Sequence, residues 1–170
     1  YMHYEGHGDA VQLAKALRQA LASSATPLGA PASPPSAAAP AMDTKHIELA
    51  LGRTGRDMGA GVFQVTVPRA EPITESGMPL LPAMDVVTVL NFQAGSDGKA
   101  AITGDLVLID KEVNAVAKTL RQHGIDVTAI HNHGLFDTPR LFYMHFWGLD
   151  APDKLAQGLR AALDQTNSQR

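Results

Sequence analysis

The chain has no cysteine, which excludes thiolate metal sites, disulfides and cysteine nucleophiles at once. It has no apolar run of the eighteen or so residues that a membrane-spanning helix needs. It has no excess of positive charge either: Lys and Arg number 14 against 17 Asp and Glu, for a net charge of −3. The two signs are interspersed, and a nucleic-acid surface would show a basic stripe. No glycine-rich phosphate loop, Gly-x-Ser-x-Gly elbow or His-Glu-x-x-His helix occurs. What remains is 170 residues with 45% apolar content, enough to bury one core but hardly two.

The chain matches itself. Tyr1-Met2-His3, Gly6, Leu13-Ala14, Leu17-Arg18 and Ala20-Leu21 align without a gap to Tyr143-Met144-His145, Gly148, Leu155-Ala156, Leu159-Arg160 and Ala162-Leu163. Self-similarity at fixed spacing is the signature of duplication. Residues 1–22 are therefore expected to be the closing strand and helix of a preceding repeat, and a start at Tyr1 fits a piece of a longer two-repeat protein. Residues 23–42 hold Pro27, Pro31, Pro34, Pro35 and Pro40 among Ala and Ser. Such a composition cannot pack and reads as a linker. Residues 43–170 then form the main domain.

Within it, Asp43 and Gly52 bracket a short helix. Phe63, Val65 and Val67 alternate as a strand that Pro68 ends. Segment 69–85, broken by Pro72, Pro79 and Pro82, reads as loop. Strands 86–93 and 99–109 flank Gly95–Gly98, a hairpin signal. Asp110 and Gly124 punctuate a helix with Val113, Val116, Ala117 and Leu120 on one stripe. Two further strands, 125–134 and 140–147, precede a helix that opens with Asp150 and Pro152. The expected fold is α+β: a mostly antiparallel sheet with helices packed on one face, in the order β-β-β-α-β-β-α after a short leading helix.

Chemistry concentrates between His131 and His145. Residues two apart on a strand share a face, so His131 and His133 point together. On the returning strand Phe142, Met144 and Phe146 are the evenly spaced apolar set, with Ile130 expected to meet them. Tyr143, His145 and Trp147 then lie on the histidine face. A register pairing 131 with 145 and 133 with 143 crowds three imidazoles into one patch, whereas a one-residue slip disperses them. Three neutral imidazoles suit zinc, copper, iron or nickel, and an open fourth position suits a metal-activated water in a hydrolase. Asp137 would add an oxygen ligand or orient an imidazole, while Arg140, Tyr143 and Trp147 would contact a ligand. The plain alternative is that His-x-His marks a polar sheet face. Asp105, interrupting an apolar strand, reads first as a bulge or strand end, with approach to a site as the alternative. His46 and His123 read as helix-surface residues, and His3 and His7 as parts of the first repeat's equivalent site, incomplete here or completed across an interface.

Four stretches carry a family resemblance. Gly61–Arg69, Thr103–Leu108, Thr128–His133 and Pro139–Trp147 resemble the LppY/LpqO-type domain of bacterial lipoproteins and secreted proteins of unknown function. The likeness covers about residues 43–165. It implies an extracytoplasmic bacterial protein, lipid-anchored through an upstream segment, and it implies no activity. The expected partners are the preceding repeat or a second copy of the chain, and a small molecule. A divalent-metal domain open to hydrolysis is the first reading, and a non-catalytic module binding a small ligand or a protein the second.

Overall fold

The computed structural model describes residues 3–4, 6–25, 29, 42–95 and 97–169. The chain divides into two units, Tyr1–Ser36 and Ala37–Arg170. In the first, α1 (Ala10–Ala22) is capped by Asp9, whose carboxylate accepts from the Gln12 N–H. The expected linker lies almost wholly outside the described residues. Among the described residues no helix is long and apolar enough to cross a membrane.

The second unit is α+β. Its elements run α2 (Thr44–Leu51), β1 (Arg56–Gly59), β2 (Val62–Pro68), β3 (Thr74–Glu75), β4 (Met78–Pro79), β5 (Val87–Ala94), β6 (Ala100–Ile109), α3 (Asp110–Gln122), β7 (Asp126–His131), β8 (Asp137–Thr138), β9 (Leu141–Asp150) and α4 (Pro152–Leu163). Six strands form one antiparallel sheet in the order β1-β2-β5-β6-β9-β7, and β4-β3-β8 form a small second one. Because β9 inserts between β6 and β7, the crossover through α3 skips one strand.

Alternation builds the main core. Phe63, Val65 and Val67 of β2, Leu90 and Phe92 of β5, Ile102, Leu106 and Leu108 of β6, and Met144 and Phe146 of β9 are buried on one face. They meet Ile47 and Leu51 of α2, Val116 and Leu120 of α3, and Leu155, Leu159 and Leu163 of α4. The helix stops follow the punctuation: Gly52 and Gly124 take left-handed φ of 67° and 73°, where a Cβ would be strained.

A second apolar cluster sits on the opposite face. Val107, Leu141 and Tyr143 are covered there by Ile73 and Val86, of which Ile73 belongs to the segment read as plain loop. That segment instead contains the β3–β4 hairpin, turned by Ser76 and Gly77 at φ of 51° and 79°. Two consecutive positive φ values match the two-residue turn that hairpins favour, and the surrounding prolines obscure this signal in the sequence. A single-turn 3-10 helix, Pro82–Met84, follows.

Two local expectations are corrected. β7 ends at His131, and it pairs His131 with Tyr143 and Ala129 with His145. The register is thus displaced by two residues from the one expected, after a bulge between Val127 and Ala129; a two-residue shift preserves the face. Ile130 does oppose Met144, but it lies on an edge strand and stays 47% exposed.

Candidate functional site

β9 has to place Met144 and Phe146 in the core, so His145 and Trp147 are forced onto the outer face. Opposite His145 on β6 stands Asp105, and its Oδ1 lies 2.5 Å from His145 Nδ1. Asp105 occupies a regular ladder position rather than a bulge or strand end. With Nδ1 facing the carboxylate, the other ring nitrogen, Nε2, is left for another partner. That Nε2 lies 2.6 Å from Nε2 of His131, reached diagonally from the end of β7, with the two ring centroids 4.7 Å apart.

His133 follows just after the strand ends. Its ring lies flat on Tyr143, with centroids 3.4 Å apart and planes 8° apart. Its Nδ1 faces Asp85 Oδ2 at 3.2 Å, a second imidazole–carboxylate pair. Asp85 itself holds a left-handed φ of 62° directly after the 3-10 turn. His131 stands between the two pairs: its centroid is 5.0 Å from that of His133, and a ring nitrogen of each lies within 4.8 Å of one of the other's.

Tyr143 is buried beneath this group. Burial raises its phenol well above the ordinary tyrosine range, and the carboxylates of Asp85, Asp137, Asp105 and Glu75 push it further the same way. The hydroxyl therefore stays protonated and neutral near pH 7. Four carboxylates thus bear on the phenol, and one of them, Asp137, is paired with Arg140.

The loop that carries His133 is tied down from several sides. Both Asp137 oxygens are engaged at 2.6 Å, Oδ1 accepting from Arg140 and Oδ2 from the Leu141 N–H. Arg140 also donates to the carbonyls of Gly134 and Leu135 at 3.0 and 3.1 Å. Asn132 donates to the Leu141 carbonyl at 2.5 Å. From the small sheet, Glu75 accepts from the Phe136 N–H at 2.8 Å. Gly134 lies close under the Glu75 carboxylate, which an added Cβ would push aside.

The structure therefore brings His131, His145 and Asp105 into direct contact, stacks His133 on Tyr143 beside them, and sets Asp137 and Arg140 in the loop's framework. Trp147 lies further along β9 on the same face, 46% exposed. His46, between Asp43 and Asp153, and His123 are on the surface. Asp85 and Glu75 carry no signal in the sequence because they sit in the proline-broken segment, where no periodicity assigns a direction. Asp105 does carry one: it keeps the parity of Thr103 and so faces outward, the side on which His145 stands.

No curated protein and no solved structure matches the chain. The family model DUF1529, described as Domain of Unknown Function (DUF1259), matches residues 45–165. That span runs from α2 through α4 and contains every residue of the histidine–carboxylate group. On this match the chain belongs to the DUF1529 family of domains of unknown function.

Proposed function

We propose that the domain binds one divalent transition-metal ion, zinc being the best fit, through His131, His133 and His145. The observation that carries the reading is the Asp105–His145–His131 alignment: a carboxylate fixes one imidazole so that its other nitrogen points at a second imidazole. Carboxylate–histidine–metal arrays are built this way, because the outer carboxylate sets the tautomer and raises the basicity of the ligand. Asp85 Oδ2 stands 3.2 Å from His133 Nδ1, the corresponding position on the third imidazole. An ion about 2.0–2.1 Å from both Nε2 atoms needs them about 3.3 Å apart in tetrahedral geometry, an opening of less than an ångström from the observed 2.6 Å. The negative surroundings of Tyr143 favour a cation in the same place.

Asp137 then acts through the loop it builds, and Arg140 with it. A three-imidazole set leaves a coordination position for a substrate oxygen, so polarisation of a carbonyl or phosphoryl group in a hydrolytic reaction is the activity that suits it. The LppY/LpqO-type likeness would place this chemistry outside the bacterial cytoplasm.

The test is metal content by mass spectrometry on protein purified without an affinity tag. Near-stoichiometric metal is expected, absent from a His131→Ala/His133→Ala double variant. Asp105→Asn should retain the ligands and lose roughly 10- to 100-fold in affinity. No metal in the unaltered protein, even after incubation with zinc, copper or nickel, overturns the reading.

A further inference from the structure

The outer face of the six-stranded sheet carries a second feature beside the histidines. Registers across all the strands bring Arg56, Gln64, Asn91, Thr103, Trp147 and Asp126 into one continuous row. At a strand spacing of about 4.8 Å the row is roughly 24 Å long. Asp105 and His145 belong to the adjacent row on this face.

The row is a ladder of hydrogen-bonding groups. Arg56 donates to Gln64 Oε1 at 3.2 Å, and Gln64 Nε2 donates to Asn91 Oδ1 at 2.9 Å. These bonds fix both amide orientations and hold the side chains in place before any ligand arrives. Thr103 is exposed, and Trp147 next to it is half-exposed. Formal charge is confined to the ends: Arg56 at one, and Asp126 in an ion pair with Arg121 at the other. The centre offers an indole, two primary amides and a hydroxyl, with no net charge.

We propose that this row is a binding platform for a neutral oligosaccharide. A sugar ring presents an apolar C–H face to an aromatic ring, and hydroxyls that both donate and accept at its edge. Trp147 matches the first property, and Asn91, Gln64 and Thr103 the second. An uncharged centre complements an uncharged ligand, whereas a nucleic acid or an acidic peptide would need a run of cations. Placement on strands keeps the groups pre-organised, which lowers the ordering cost of binding. The proposal is independent of the metal reading, since no residue of the row is a ligand in it.

Trp147 is the chain's single tryptophan, so its fluorescence reports on the platform directly. The experiment titrates the full chain with maltohexaose, cellohexaose and fully N-acetylated chitohexaose up to about 10 mM, the range of weak specific binding. A saturable shift is expected with at least one of them, in the presence and absence of chelator alike. Asn91→Ala and Gln64→Ala should each weaken it roughly five- to tenfold, the worth of one hydrogen bond. Far-UV circular dichroism checks that both variants are folded. No saturable change with any of the three sugars overturns the proposal, as does an undiminished response in both variants. Concentration-dependent dimerisation that shields Trp147 from acrylamide also overturns it, by assigning the face to a second copy of the chain.

Discussion

Replacing Arg69 by methionine is expected to lower the unfolding free energy by about 3–5 kcal/mol, the usual loss when one partner of a buried ion pair is removed. The Arg69 and Glu112 side chains are only 1% and 6% exposed. Arg69 donates to both Glu112 oxygens at 2.8 and 3.0 Å, to the Val107 carbonyl at 2.7 Å and to Glu71 at 2.6 Å. Glu112 in turn accepts from the Ile109 N–H at the start of α3 and from the Asn167 N–H of the C-terminal tail. One guanidinium thus joins the end of β2, the end of β6, the first turn of α3 and the tail. Methionine keeps much of the volume but strands the Glu112 charge. Urea denaturation of the two proteins measures the loss. The double variant Arg69→Met/Glu112→Leu should regain most of it, because the penalty comes from the unpaired charge. An equal loss in the double variant would show that packing, not charge, explains the effect.

The same network gives the pH dependence its sign. Burial by itself would raise the Glu112 carboxyl, but the Arg69 hydrogen bonds, then those from Ile109 and Asn167, outweigh it and hold Glu112 below its ordinary value. Glu71 is lowered too: burial opposes the shift, and the bond from Arg69 is the largest of the effects that overcome it. Carboxyls depressed in the folded state stabilise it at pH above their unfolded values, and this contribution fades as pH falls through the folded ones. The stability gap between the natural chain and Arg69→Met should therefore be full at neutral pH and narrow in acid, below about pH 4.5. A gap independent of pH between 7 and 3 would contradict this.

Gly104→Ala is expected to cost at least about 3 kcal/mol, the upper end of the overpacking range. Gly104 sits in the middle of β6, opposite Leu90 and Phe146. A Cβ there would run into the Val89 carbonyl and come within 3.1 Å of the Phe146 ring. The carbonyl is backbone in a paired strand, so relief means moving β5 away from β6 rather than rotating a side chain. Asp105 is the next residue, and any shift of β6 would pull its carboxylate off His145. Metal affinity at the proposed centre should therefore fall together with stability. A variant as stable as its parent, measured by thermal melting, would show that the sheet can yield at this point.

Local chemistry makes much of the main domain legible in the amino-acid order alone. Helix limits follow Asp43, Gly52 and Gly124, because caps and left-handed residues act over a single turn. Strand faces follow the parity of Phe63–Val67 and Met144–Phe146, because burial of one face enforces a period of two. The outward direction of His145 and Trp147 comes from the same parity. It survives a wrong register because the error is two residues and not one.

Partnership between distant segments is beyond such reasoning. Asp105 meets His145 only because β9 enters between β6 and β7, and chain order alone does not fix strand order. Asp85 and Glu75 reach the site from a segment that lacks a period, where proline breaks hide a hairpin. Arg69 and Glu112 look like ordinary surface charges in the sequence until the fold buries them against each other. The row from Arg56 to Asp126 is likewise invisible along the chain, since it exists only across six paired strands. The amino-acid pattern decided which side each residue shows, because that is set by neighbours a few positions away. Which residues meet on that side was left to the packing of the whole sheet, because it depends on strands brought together from far apart in the chain.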